Sequence, residues 1–302
     1  MGKLVDVRSL KKTFLFSVLF LLFVFSINSN ALAWTVSPVR FELKAARGKE
    51  YTLAFSVFNE SQLHQKRFEI QTDDWTLDKQ NNFLRKAYNK ETVQNKYTAT
   101  SWVKVTPQQF VLPPGETKKI RFTVAVPNDI QTDGEYTTGI FVGEKNIEKP
   151  LKGEKIVHIK QDTFIGVVVY VRIGKEESKV TLKDLKINLS PLDNKTARVT
   201  LLPLYENQGN VHGRAKLILM AVPENKDSFD KKLLSDLSDV NGGELVVLRE
   251  SQLTFPVDVP YPIPINTEWK FAVSADFGGE QPVLVGTKKY KIEMTTSHPK
   301  IP

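Results

Sequence analysis

Apolar and polar residues alternate with period two, in short runs, along most of the chain beyond residue 34. The first run is Val36-Ser37-Pro38-Val39-Arg40-Phe41-Glu42-Leu43, followed by Leu53-Ala54-Phe55-Ser56-Val57-Phe58-Asn59. Such alternation puts successive side chains on opposite faces, which is the signature of a half-buried strand. It predicts strands at Thr35–Leu43, Glu50–Asn59, Arg67–Trp75, Trp102–Thr106, Phe110–Leu112, Thr117–Val126, Gly134–Val142 and Thr163–Ile173. After Gly174-Lys175-Glu176-Glu177-Ser178, a short charged stretch that reads as a hinge, alternation resumes. The second series is Lys179–Asn188, Ala197–Tyr205, Arg214–Val222, Leu245–Leu248, Leu253–Pro256, Glu268–Ala275 and Lys288–Ile292. Between them, Phe229–Val240 with Leu233, Leu234 and Leu237 reads as one short helix.

The punctuation fits strands joined by turns. In Pro113-Pro114-Gly115, proline fixes φ and glycine supplies the permissive position before alternation restarts. Glu206-Asn207-Gln208-Gly209-Asn210 and Phe277-Gly278-Gly279-Glu280-Gln281-Pro282 are further turn clusters. Thr76–Thr100 and Lys145–Lys160 are polar excursions. Short strands with regular turn signals predict an all-β protein of two immunoglobulin-like sandwiches, at 34–174 and 175–296, with a tail at 297–302. Trp75 and Trp102 sit where sandwich cores take large side chains.

The N-terminus breaks the pattern. Lys11-Lys12 precede the uninterrupted run Phe14–Ile27, and Ala31-Leu32-Ala33 follows. A charged segment, an apolar segment and an A-x-A site make a secretory signal over residues 1–33. The run is shorter than the ~20 residues a spanning helix needs. The expectation is an exported protein of the periplasm or cell envelope whose mature chain begins at Trp34; an uncleaved anchor is the alternative.

Composition narrows the function classes. The 302 residues are 41% hydrophobic and 25% charged, enough for two full cores. The net charge is +8; Lys3, Arg8, Lys11 and Lys12 against Asp6 account for +3 of it, which leaves +5 for the rest. That is a mildly basic surface and no nucleic-acid footprint. There is no cysteine, which excludes disulfides and thiolate chemistry. His64, His158, His212 and His298 lie in separate segments, without the spacing of metal ligands, and read as surface residues. Asp73 and Asp74 point to opposite faces of one strand and read as turn-capping or solvated acids. No phosphate-binding glycine motif or nucleophile elbow occurs, so neither a cofactor nor an enzyme is expected.

The landmarks resemble, in order and spacing, the N-terminal domain of the periplasmic pilus chaperones. The resemblance covers Thr35–Ile173 and runs through the first-strand pattern Pro38-Val39-Arg40-Phe41, Val57-Phe58-Asn59, the Trp75 strand, Val105-Thr106-Pro107, Leu112-Pro113-Pro114-Gly115 and Ile120-Arg121. It implies a non-enzymatic module that binds an extended segment of an exported or surface protein, such as a pilin-like subunit, by strand addition. It also implies that Arg40 holds the partner's C-terminal carboxylate, a task suited to the guanidinium fork. The family's last strand carries a Lys that joins this Arg; the matching Val167-Val168-Val169 has none. Asp133-Gly134-Glu135-Tyr136 is closer to non-fimbrial relatives. Long and apolar, Phe164–Ile173 is the expected pairing edge, with Phe164, Val168 and Tyr170 meeting the partner. The alternative is a structural or adhesive envelope protein that binds cell-wall polymer or another surface protein.

Overall fold

The structure, a computed structural model, describes residues 34–78, 82–88, 96–145, 163–223, 234–236, 244–278 and 281–293. The expected secretory signal, the tail at 297–302, His158 and His298 lie outside them. Residues 34–173 form β1 (Trp34–Ser37), β2 (Arg40–Ala45), β3 (Glu50–Asn59), β4 (Lys66–Leu77), β5 (Phe83–Lys86), β6 (Val103–Thr106), β7 (Gln109–Leu112), β8 (Thr117–Ala125), β9 (Gly134–Glu144) and β10 (Phe164–Ile173). One sheet has the order β1-β3-β8-β6; the facing sheet has β2-β10-β9-β4-β5, with β7 on β4. With β1, β3, β4, β6, β8, β9 and β10 counted as first to seventh, the succession first-second-fifth-fourth against third-sixth-seventh is that of an immunoglobulin-type sandwich.

Inward parity builds one core between these sheets. On β10, Val167, Val169, Val171 and Ile173 are fully buried, and they meet Phe55, Ile120 and Phe122 of the facing sheet in one cluster. Trp34 packs edge-on against Phe68 at 5.1 Å between centroids, and Phe68 stacks on Phe110 at 5.2 Å. Each such pair adds about 0.5–1.5 kcal/mol beyond area burial. Trp102 joins this core, whereas Trp75 is buried in a separate cluster on the outer face of the β10 sheet.

The second sandwich is built from β11 (Val180–Pro191), β12 (Thr196–Asn207), β13 (Gly213–Pro223), β14 (Leu234–Asp236), β15 (Glu244–Val247), β16 (Ser251–Thr254), β17 (Val257–Asp258), β18 (Ile263–Pro264), β19 (Thr267–Asp276) and β20 (Leu284–Ile292). Its sheets are β11-β12-β16, with β17 and β18 on β12, and β14-β13-β19-β20, with β15 on β13. Leu201 and Leu253 of the one meet Leu217 and Phe271 of the other in a second core. The two sandwiches share one device. Asn59, ending β3, and Asn207, ending β12, are buried, and each side-chain amide donates to carbonyls of the turn it anchors: Leu112 O and Pro113 O for Asn59, Val211 O and Val247 O for Asn207. Buried amides with every partner in place hold a turn without a desolvation penalty.

Three expectations are corrected. Thr35–Leu43 is two strands in opposite sheets: β1 pairs with β3, and β2 pairs parallel with β10. Pro38 has no amide hydrogen to give a ladder, so the chain leaves one sheet there and enters the other at Arg40. The helix expected in Phe229–Val240 is replaced, over its described part, by β14 against Ile218–Met220. The polar excursion after Trp75 contains the edge strand β5, whose Phe83 stacks on Trp75 at 5.2 Å.

Candidate partner-binding edge and the junction between the sandwiches

Strand β10 is an interior strand for most of its length. It pairs with β9 from Phe164 to Ile173, and with β2 from Val168 to Ile173. Val168 and Tyr170 are therefore flanked on both sides, Val168 by Arg40 and Gly139. The edge expected along the whole of Phe164–Ile173 is confined to Phe164–Val167, which has a strand partner on one side only among the described residues. The uniform apolarity of β10 reflects an inner face on the core and an outer face under aromatic side chains, not an exposed edge.

The backbone parity of the open segment follows from Val168, whose amide donates to Val39 O at 2.8 Å on the β2 side. Peptide groups alternate sides along a strand. Phe164 and Gly166 therefore direct their amides and carbonyls to the open side. Phe164 is 37% exposed, and its ring lies over Gly143, where an added Cβ would stand 2.3 Å from the ring edge. Val39, beside the end of the open segment, is also exposed.

Arg40 stands where the open edge ends, opposite Val168. Its guanidinium donates to Glu244 of the second sandwich at 3.0 Å and lies 3.7 Å from Glu42. Arg214 also holds Glu244, at 2.7 Å. Burial pushes the Glu244 carboxyl up, but donation from Arg214 and Arg40 outweighs it and leaves the group below the ordinary range. Arg40 itself is nearly half exposed, so a second carboxylate can reach it.

The wider junction is a polar network that sequence reasoning missed. Glu135, on β9, is buried and accepts from Arg172 Nε at 3.1 Å; the Nδ1 of His212, from the second sandwich, lies 2.7 Å away. Arg172 also reaches Glu42 at 3.0 Å. The His212 ring packs on Tyr170 at 4.3 Å between centroids, which leaves Tyr170 buried. Burial raises the Tyr170 hydroxyl to about 12, so it is neutral at physiological pH. Leu248 of the second sandwich joins the Trp75–Phe141–Tyr170 cluster, and Arg249 donates to Glu135 O at 3.0 Å while lying over the Tyr97 ring. Beside the network is an open cleft of about 430 Å³, lined among others by Arg172, Glu176, His212, Arg214 and Gln281.

Further readings are corrected at this junction. His212 is no surface residue, although His64 is exposed as expected. Asp73 and Asp74 are not solvated: Asp73 pairs with Arg85, and Asp74 accepts from Thr100 at 2.6 Å and from Thr98. The segment read as a hinge is held from both sides, since Lys175 N donates to Asp133 and Glu177 N to Asn210. Asn210 O in turn accepts from Glu135 N, and it approaches Gly134 so closely that a Cβ there would lie 2.4 Å from it. No group of three or more His, Cys, Asp or Glu side chains among the described residues could hold a metal ion.

No protein-family model matches the sequence, and no curated protein does. Solved structures similar to this chain include a chaperone–tip adhesin complex of CFA/I fimbriae, at 14% identity and a TM-score of 0.40, over 84% of this chain and 98% of that one. The Salmonella enterica SafA pilin in complex with the SafB chaperone matches at 12% and 0.39, over 86% and 98%. The CsuC–CsuE chaperone–tip subunit complex of Acinetobacter baumannii matches at 12% and 0.38, over 74% and 90%. At TM-scores this low the likeness carries no function from those proteins to this chain.

Proposed function

We propose that this chain is an exported, non-enzymatic binding module that takes up an extended segment of another exported or surface protein by adding a strand beside Phe164–Val167. One observation carries the reading: the open half of β10 ends at the start of β2, where Arg40 stands. A segment in the vacant row, parallel to β10 as β2 is, runs its C-terminal end into Arg40. Main-chain hydrogen bonds to Phe164 and Gly166 supply affinity, and the guanidinium receives the terminal carboxylate. The partner class, a pilin-like subunit, follows from the sequence resemblance. With Val168 opposite Arg40, the anchor has one cation where the resembled family has two. The wall-polymer reading gains no specific observation among the described residues.

The test uses extended peptides selected from a library with free C-termini, each measured again with an amidated end. Arg40→Ala weakens binding of the free-carboxylate form by about 1.5–3 kcal/mol, the scale of a charge-assisted hydrogen bond, and amidation has the same effect on wild type. Equal affinity for both forms on wild type sinks the carboxylate role.

A further inference from the structure

The outer face of the β1-β3-β8-β6 sheet gathers unpaired cations on one surface, whereas elsewhere in the first sandwich many are matched with acids: Arg47 with Asp133, Lys66 with Glu144, Arg85 with Asp73, Arg172 with Glu135. On this face Lys104, Lys119 and Arg121 are exposed, and none has a carboxylate partner among the described residues. Lys119 and Arg121 are successive outward residues of β8, ~7 Å apart along the strand. Lys104 is opposite Thr123, one outward position beyond Arg121, on the neighbouring β6.

The residues between them are small. Ala54 is opposite Arg121, Ser56 opposite Lys119, and Thr52 opposite Thr123, with the two threonine hydroxyls 3.3 Å apart. The only acid on the outward parity of these strands is Glu50, at the far end of β3. No bulky side chain stands between the cations to wall off a groove. Long basic side chains on a low floor of hydroxyls and methyls reach one common plane. Such a surface lacks the walls that would enclose a chain-like polyanion, but all three cations can meet a flat anionic surface together.

We propose that this face is an electrostatic docking surface for an anionic lipid bilayer. Its charge complements acidic headgroups, and it lies on the opposite sheet from the β10 edge, so a docked chain keeps that edge free. Each basic side chain near an anionic leaflet contributes about fivefold in partitioning, so three give roughly a hundredfold. That biases where the protein resides and leaves it reversibly bound.

The test is co-sedimentation of the full chain with phosphatidylglycerol vesicles and with phosphatidylcholine vesicles. The ratio of the two cancels binding through any apolar segment, and comparison between variants cancels Lys3, Arg8, Lys11 and Lys12, which all of them share. Wild type prefers the anionic vesicles by roughly a hundredfold or more at low salt, and the preference collapses as added salt shortens the screening length towards ~3 Å. The triple variant Lys104→Gln, Lys119→Gln, Arg121→Gln lowers the preference by roughly a hundredfold relative to wild type. A control with the same net charge, Lys86→Gln, Arg198→Gln, Lys216→Gln, changes three exposed cations on the other sheets and keeps most of it. An equal loss in both variants reduces the effect to net charge and overturns the proposal, as does a wild type without preference. Soluble polyphosphate that binds wild type as tightly as the vesicles do points to a linear polyanion and overturns it too.

Discussion

The Nδ1 of His212, in the second sandwich, stands 2.7 Å from Oε2 of Glu135 in the first, and both side chains are almost entirely buried. Arg172 closes on the same carboxylate oxygen at 3.1 Å. Glu135 is thus the node at which the two halves of the chain are joined. Removing one member of a buried charged cluster leaves its partners desolvated and uncompensated, at a cost of about 3–5 kcal/mol. Glu135→Ala is expected to destabilise by that amount in urea unfolding and to uncouple the sandwiches, which then unfold in separate transitions. A single transition shifted by less than ~1 kcal/mol contradicts the role.

The junction is also expected to weaken in acid. Donation from the Tyr97 hydroxyl at 2.6 Å holds the Glu250 carboxyl below its ordinary value of 4.5; burial opposes this, and Arg249 and Lys96 add to it. Glu244 is lowered as well. A carboxyl depressed in the folded state stabilises fully above its unfolded pKa, and that contribution disappears as pH falls through the folded one. The window therefore opens near pH 4.5 and extends downward. Melting temperature should fall across it in wild type, and Glu250→Gln should lower it at neutral pH with little effect below the window, which flattens part of that fall. An unchanged acid slope in the variant rules Glu250 out as a contributor.

Glu244 occupies Arg40 in the free chain, so it competes with any incoming carboxylate. Glu244→Gln removes the competitor and is expected to tighten binding of free-carboxylate peptides by up to about fivefold, equivalent to an exposed ion pair of roughly 1 kcal/mol. Amidated peptides should show no change. Weaker binding of the free-carboxylate form would mean that Glu244 positions Arg40 for the partner, not that it blocks it.

Much of the fold was legible because the information is local. Period-two alternation located β3, β8 and β10, and the inward parity of β10, with Val167, Val169 and Val171, is the one the core buries. Pro113-Pro114-Gly115 announced its turn, and Gly115 adopts φ 67° there. Most of what was missed depends on distant pairings. The apolar parity shifts at Pro38, from Trp34 and Val36 to Val39, Phe41 and Leu43, a local sign of the break that the reading of Thr35–Leu43 as one strand passed over. The parallel partnership of β2 with β10 joins segments more than a hundred residues apart, and it turns a long apolar strand from an edge into an interior strand. His212 reads as a turn residue until Glu135, 77 positions away, is beside it. Arg40 was singled out through its strand position and the family resemblance; its partner Glu244 follows a segment with no clear strand signal.

Amide hydrogen exchange, resolved by residue, tests strand addition at β10 most directly. In the free chain the amides of Phe164 and Gly166 face the open side, whereas that of Val168 is bonded to Val39 O. Phe164 and Gly166 should exchange rapidly and Val168 slowly. Saturation with a selected extended peptide should bring Phe164 and Gly166 to the protection of Val168, with little change along β5 or β20. Protection of Phe164 and Gly166 in the free chain, or peptide-induced protection confined to another strand, would contradict partner binding at this edge.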